Sequence, residues 1–207
     1  YTKTLDAALL EQPILALTAA QNSLQTEILA LLEHINAILG DPNSKRANIK
    51  ELQYALDKTH AYIDEISLGS ESGAQWERLV AMIHTLDHMQ RLHERCEEDE
   101  DRAITLRDTK HFSKERDIII FGIKSIIEDI NSKKWHKMFK HSHKTKASLY
   151  KHMKDYREMI VTKIARGEID VEEGTDYLEG VRWLKRVSWH LVRISYHYEQ
   201  ALLATGK

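Results

Sequence analysis

The chain has 207 residues, of which 42% are hydrophobic and 30% charged, and its formal net charge is −2. This balance is typical of a globular protein with a sizeable core, and it excludes an intrinsically disordered chain and a strongly polyanion-binding one. No apolar run approaches the ~18 residues that span a bilayer, and no signal-peptide pattern opens the chain, so the sequence predicts a soluble protein. The single cysteine, Cys96, excludes an intrachain disulfide framework and fits a reducing compartment.

The first two predicted elements are helices. Only two prolines and eight glycines occur, which favours long uninterrupted helices. Apolar residues at helical spacing predict a first helix from Ile14, with Pro13 in its first turn and a stop at Gly40. A second helix is predicted after Ser44, the candidate N-cap, and lasts until the glycine- and serine-rich break at residues 69–73.

Four further helices are predicted along the rest of the chain. A third covers roughly residues 74–106, and the polar segment 107–113 is predicted to be a loop. The fourth, residues 117–135, contains a short apolar run that could form a strand, but its isoleucines keep a helical spacing: Ile119, Ile123, Ile126 and Ile130. The last two helices are predicted at about 137–165, with Gly167 as the stop of the first, and 171–203.

Six long helices with short connections predict an all-α protein. We expect two consecutive antiparallel three-helix units, residues 1–106 and 107–207. Each unit carries an arginine- and histidine-bearing pattern late in its last helix, RLHERC in the first and RVSWHLVR in the second. These patterns hint at an internal duplication.

The stretch TLDAALLEQPILALTAAQNSL, residues 4–24, closely resembles the start of the cytoplasmic C-terminal domain of bacterial sodium/phosphate cotransporter family proteins. The two-unit layout, with RLHE and WHLVRI late in the units, is similar to PhoU-like domains, and the resemblance covers essentially the whole chain. It implies one compact PhoU-like domain made of two three-helix bundles. It also implies a non-catalytic regulatory or accessory role on the cytoplasmic side of the bacterial inner membrane, with the transmembrane region of the same transporter as partner.

PhoU-like proteins often carry a carboxylate-x-x-x-carboxylate motif that binds metal ions, because this spacing places two oxygen donors on one helix face. In the first unit the best match puts Gln90 at the first acid position and Glu94 at the second. Another register keeps Asp87 as the first acid but puts Arg91 at the second, where a cation would repel a metal.

The second unit departs further from that metal motif. Lys185 and Trp189 stand at its acid positions, and His190 alone agrees with the family pattern. The candidate metal ligands of this degenerate motif are therefore Asp87, Glu94 and His190. The resemblance allows a divalent metal on these residues, and no other cofactor is expected.

The segment 84–101 concentrates polar residues on the third helix. His84 and His88 are predicted to lie on its outer face, either as a solvated pair or as two metal ligands at i,i+4 spacing. His93 is expected to be a hydrogen-bonded histidine of the packing seam. The acid run 97–101 is either a solvated helix end or an attachment site for a basic partner.

A basic segment, residues 133–154, contains eight lysines and four histidines without an acid. Five of its lysines form a predicted stripe at helical spacing, near Trp135, Phe139 and Tyr150: Lys133, Lys137, Lys140, Lys144 and Lys151. The stripe could meet anionic lipid head groups or the cytoplasmic loops of the transporter, bind an anion such as phosphate or a nucleotide, or be a solvated face. Nucleic-acid binding is not expected, since no recognised module accompanies the lysines.

The sequence offers no sign of an enzyme. It has no phosphate-binding glycine loop, nucleophile elbow, HExxH or CxxC, and the acids around Cys96 would raise its pKa. Trp183 and Trp189 are expected to anchor packing or an interface. The expected function is regulation of transport through contacts with the membrane region or through self-association. The alternatives are a metal- or anion-binding phosphate-signalling sensor and, third, a metal-dependent hydrolase.

Overall fold

The computed structural model describes residues 1–204, and every regular element in that range is helical. The prediction of an all-α protein is confirmed. The α-helices are α1 (Pro13–Ile38), α2 (Ile49–Asp64), α3 (Gly73–Glu97), α4 (Glu100–Asp108), α5 (Ser113–Asn131), α6 (Met138–Met153), α7 (Tyr156–Ala165) and α8 (Val171–Ala204). Short 3-10 segments precede α1, α5 and α6, at Ala7–Glu11, Lys110–Phe112 and Trp135–Lys137.

The first two helices begin and end largely where the sequence places them. Pro13 is the first residue of α1, where its missing N–H costs no hydrogen bond, and Gly40 follows the end of α1 with a φ of 94°. The N-cap of α2 is Asn48, whose side chain accepts hydrogen bonds from two backbone N–H groups of the first turn. Ser44 was the wrong cap, because its hydroxyl donates to Asp41 Oδ2 at 2.6 Å in the preceding turn.

The third predicted helix is divided in two. α3 ends at Glu97, and α4 begins at Glu100, so the acid run spans the junction. Glu100 and Asp101 lie in the first turn of α4, where the positive end of the helix dipole favours acids. The predicted loop at 107–113 is wrong as well, since α4 continues to Asp108 and a 3-10 turn leads directly into α5.

The fifth predicted helix is also divided, into α6 and α7, with the break at residues 154–155. Neither this break nor the one after α3 contains a glycine or proline, so local sequence carries no stop signal there. The stop predicted at Gly167 is confirmed by its φ of 70° just after α7. The isoleucine seam of α5 is confirmed too: Ile119, Ile123, Ile126 and Ile130 are all buried.

The helices pack into one continuous hydrophobic core. α1, α2 and α3 contact one another, α6 contacts both α5 and α8, and α1 also contacts α5. The most extensive helix–helix contact joins α3 to α8, which run antiparallel: His84 stacks on His197, and Trp183 donates its Nε1–H to the backbone oxygen of Arg95 at 2.9 Å. Within residues 1–204, no helix is both long and apolar enough to cross a membrane.

Candidate functional site

A cleft of about 590 Å³ opens along the contact between α3 and α8. α3 contributes Asp87, His88, Arg91, Glu94 and Arg95, and α8 contributes Arg186, Trp189 and His190. The structure therefore brings the three candidate metal ligands, Asp87, Glu94 and His190, to the same cleft.

The periodicity of the two helices explains why these side chains meet. On α3, residues 87, 91, 94 and 95 follow the i, i+4, i+7, i+8 spacing of one helix face. On α8, residues 186, 189 and 190 share one face through i, i+3, i+4 spacing. Because the helices are antiparallel, the polar end of the α3 face lies beside the middle of α8.

A pair of histidines closes the inner side of the cleft. His88 and His190 are buried, and their Nδ1 atoms lie 3.2 Å apart, so one ring donates to the other. Burial lowers the pKa of both rings, that of His190 to about 4, so we expect both to be neutral at pH 7. The prediction that His88 faces solvent is wrong, because α8 covers that face of α3. His84 is exposed, as predicted, and stacks on His197.

The charged residues of the cleft are mostly arginines. Arg91 Nε lies 3.2 Å from Asp87 Oδ2, and Arg95 Nη1 lies 2.7 Å from Asp99 Oδ2. Arg186 is exposed and makes no ion pair with any residue in the range 1–204. With both histidines neutral, the lining carries three guanidinium groups against the carboxylates of Asp87 and Glu94.

This arrangement suits an anion better than a cation. In the described part of the chain, no group of three histidine, cysteine, aspartate or glutamate side chains is placed to hold a metal ion. The arginines would repel a cation at the same place. Guanidinium groups instead match phosphate and carboxylate oxygens in charge and in geometry.

Other singled-out residues have structural roles. His93 is buried with Nε2 2.7 Å from the backbone oxygen of Ile49, which confirms its assignment to the packing seam. Cys96 is fully buried, and burial raises its pKa to about 12; the predicted direction is confirmed, but desolvation rather than the neighbouring acids is the cause. Trp183 is a core residue, whereas Trp189 is 41% exposed at the cleft.

The predicted lysine stripe lies at the surface. Lys133, Lys140, Lys144 and Lys151 are exposed and Lys137 is half-buried, and none of the five forms an ion pair within residues 1–204. A groove of about 310 Å³ between α5 and α6 borders the stripe at Lys144. Phe121, which lines the same groove from α5, is 73% exposed.

Sequence reasoning missed two features of the cleft. Arg186 was not singled out, although its position one helical turn before His190 places both on one face of α8. The burial of His88 was missed because helical periodicity shows which residues share a face but not which neighbouring helix covers it.

No family model, curated protein or solved structure matches the chain. The chain is therefore classified by its fold. The fold defines an all-α protein of packed helices. A polar cleft lies between α3 and α8, the antiparallel pair that makes the most extensive helix–helix contact.

Proposed function

We propose that the chain is a non-catalytic regulatory domain of the PhoU-like type, attached to a sodium-dependent phosphate transporter on the cytoplasmic side of the bacterial inner membrane. The resemblance of residues 4–24 to such domains supports this proposal. The mutual contacts of α1, α2 and α3 fit the first of its two three-helix bundles. In the proposed architecture α5, α6 and α8, of which α6 contacts both of the others, form the second bundle of the same domain.

The observation that carries the proposal is the surface formed by Lys140, Lys144 and Lys151 on α6, here called the basic face. Their i, i+4, i+11 spacing places the three ammonium groups along one side of the helix. All three are exposed, and none is neutralised by an acid of the described chain. The neighbouring Phe121 presents a large aromatic ring to solvent.

Cations beside an exposed aromatic ring fit a membrane surface with anionic lipid head groups. Each lysine near such a surface contributes about 1 kcal/mol, and an aromatic ring gains further free energy by leaving water. In this proposal the basic face holds the domain against the membrane that contains the transporter. The regulatory contacts with the transporter then form at fixed distance and orientation.

The acid run of the chain does not compensate these lysines internally. Asp99 pairs with Arg95, and Glu100 pairs with Arg46, so these two acids already have cationic partners. The charge of the basic face is therefore available to an external partner.

Co-sedimentation with liposomes tests the membrane contact. We expect binding to vesicles with anionic lipids, weakening as salt is raised, and little binding to neutral vesicles. A variant with Lys140→Glu, Lys144→Glu and Lys151→Glu should lose at least about 3 kcal/mol of binding free energy, which is more than a hundredfold in affinity.

A second triple variant provides the matched control. Lys45→Glu, Lys50→Glu and Lys58→Glu change the net charge equally, but these exposed lysines lie on or near α2. Equal loss of binding in the two triple variants would contradict a localised basic face, and equal binding of the wild type to both kinds of vesicle would contradict the membrane contact.

The attachment to a transporter has a separate test. We expect the coding sequence upstream of Tyr1 to continue in frame into a block of transmembrane helices. An upstream reading frame that encodes no such block would remove the transporter assignment while leaving the lipid experiment unaffected.

A further inference from the structure

We infer that the cleft between α3 and α8 is a binding site for an organic phosphate of the nucleotide class, with the phosphate on its arginines and the flat ring beside Trp189. None of the cleft residues belongs to the basic face, so the inference stands apart from the membrane contact. It depends on the charges, the aromatic wall and the volume of the cleft.

Arg186 is the primary phosphate ligand in this inference. It is exposed on α8 and forms no ion pair within residues 1–204, so its guanidinium group is available to a ligand. Arg91 is bonded to Asp87 through Nε, which leaves its terminal nitrogens for a second contact. Planar guanidinium groups bind phosphate oxygens through paired charge-assisted hydrogen bonds.

Arg95 has a supporting role at the cleft. Its Nη1 lies 2.7 Å from Asp99 Oδ2, and its Nη2 lies 3.6 Å from Glu98 Oε2. These contacts fix the side chain, which is mostly shielded from solvent, beside the phosphate position. Because Asp99 and Glu98 offset its charge, Arg95 contributes shape and hydrogen-bond donors to the cleft, and the positive charge toward a ligand comes from Arg186.

The neutral histidine pair supplies one further donor and one acceptor. When the Nδ1–H of one ring donates to the Nδ1 of the other, the accepting ring carries its proton on Nε2 and the donating ring has a bare Nε2. Both rings line the cleft. A phosphate oxygen can accept from the Nε2–H of the accepting ring, and a ligand hydroxyl can donate to the bare Nε2 of the donating ring.

Trp189, on the same helix as Arg186, fits the organic part of the ligand. Trp189 is held edge-on against His88 and His190, with ring centroids 5.2 and 5.0 Å apart, while 41% of its surface stays exposed. Glu94 is an exposed carboxylate that can accept hydrogen bonds from ligand hydroxyl or amino groups. The volume of about 590 Å³ lies within the ~300–1,000 Å³ of small-molecule sites and exceeds what a bare phosphate would fill.

Isothermal titration of the chain with a nucleoside monophosphate, the matching nucleoside and inorganic phosphate tests the site. All titrations contain a chelator, so that metal bridging does not contribute. We expect the nucleoside monophosphate to bind at least tenfold more tightly than either fragment. No binding of the nucleoside monophosphate at millimolar concentration would overturn the inference, and so would equal affinity for it and inorganic phosphate.

Two variants assign the roles within the cleft. Arg186→Gln should weaken nucleoside monophosphate binding ten- to a hundredfold, as expected for a lost charge-assisted hydrogen bond. Its control is Arg182→Gln, an exposed arginine one turn earlier on α8 that pairs with Glu179 and lies outside the cleft. An equal loss in both variants would overturn the assignment of Arg186.

Trp189→Ala should weaken binding of the nucleoside monophosphate about tenfold and leave that of inorganic phosphate unchanged, whereas Trp189→Phe should keep most of the affinity. A parallel loss for both ligands would overturn the ring contact. The variant with three glutamates on the basic face should bind the nucleoside monophosphate like the wild type. Failure of the membrane proposal is therefore distinguishable from failure of this one.

Discussion

The buried acid Glu27 makes the stability of the protein depend on pH in a way that can be calculated. Glu27 lies in α1 and is fully buried. Ser23 of α1 and Thr59 of α2 donate hydrogen bonds to its Oε1 at 3.0 and 2.6 Å. Its Oε2 has no partner within the described chain. Burial raises its pKa to about 7 from a reference value of 4.5, because desolvation outweighs the two hydrogen bonds.

The difference between those two values corresponds to about 3 kcal/mol. Since the pKa is higher in the folded than in the unfolded state, Glu27 is protonated in both states below pH 4.5, and its burial then costs no ionisation free energy. Stability is then lost as the pH rises from 4.5 to 7, because the carboxyl ionises in the unfolded chain while burial keeps it protonated in the folded one, and the loss levels off above pH 7.

Glu27→Gln keeps the shape and replaces the ionisable group by a neutral amide, whose oxygen can accept the same two hydrogen bonds. The amide nitrogen would stand where Oε2 is unpartnered, at a cost of about 1 kcal/mol. We therefore expect the variant to be about 2 kcal/mol more stable than the wild type at pH 8, and about equal or slightly less stable at pH 5. Urea unfolding followed by far-ultraviolet circular dichroism at the two pH values measures this difference.

Glu11→Gln, on an exposed acid that precedes α1, is the control and should change stability equally at both pH values. The titrating histidines are common to all three proteins, so their contributions cancel in the comparison. A stability difference between Glu27→Gln and the wild type that does not change between pH 5 and 8 would refute a protonated, buried Glu27.

Three further changes have defined outcomes. The lowered pKa of His190 predicts stability that is present above pH 6.5 and lost as the pH falls towards 4. His190→Gln should remove about 1–2 kcal/mol of that loss, after allowance for solvent screening. Urea titrations at pH 7 and 5 measure the difference. Gly122→Ala should lower thermal stability by about 1–3 kcal/mol, because the new Cβ would lie 2.2 Å from Thr145 Oγ1, whereas Gly73→Ala, with open space around it, should be neutral or stabilising. Cys96, buried and with its pKa raised to about 12, should resist alkylation in the native state and react readily in urea; rapid native labelling would contradict its burial.

Local signals in the sequence were sufficient for much of the fold. Pro13 and Gly40 bracket α1 for reasons of backbone geometry, and the isoleucine spacing of α5 predicts its buried face. The breaks after α3 and α6 could not be predicted in this way. Neither contains a glycine or proline, and a helix that changes direction at ordinary residues does so because of the surfaces it packs against.

The candidate site shows the same limit. Asp87, Glu94 and His190 were singled out from a degenerate pattern, and the fold does bring them to one cleft. The arginines that set the electrostatic character of that cleft come from both helices, and a single helical wheel cannot show their convergence. That Arg186 lacks an ion-pair partner in the described chain is a property of the packed molecule alone.

The polar end of α3 follows from its two sets of neighbours. Its apolar seam continues through Met89 and Leu92, after which one side meets the start of α2 and the other meets α8. On the α2 side, His93 Nε2 lies 2.7 Å from the backbone oxygen of Ile49, which gives the buried ring a hydrogen-bond partner. On the α8 side, His88 faces His190 at a depth where two apolar residues would pack without any loss on acidification. Because burial lowers the pKa of both rings, the neutral histidine pair destabilises the contact between α3 and α8 below pH 6. The pair lies at the inner wall of an arginine-lined cleft, and for this reason we assign it to ligand binding rather than to stability.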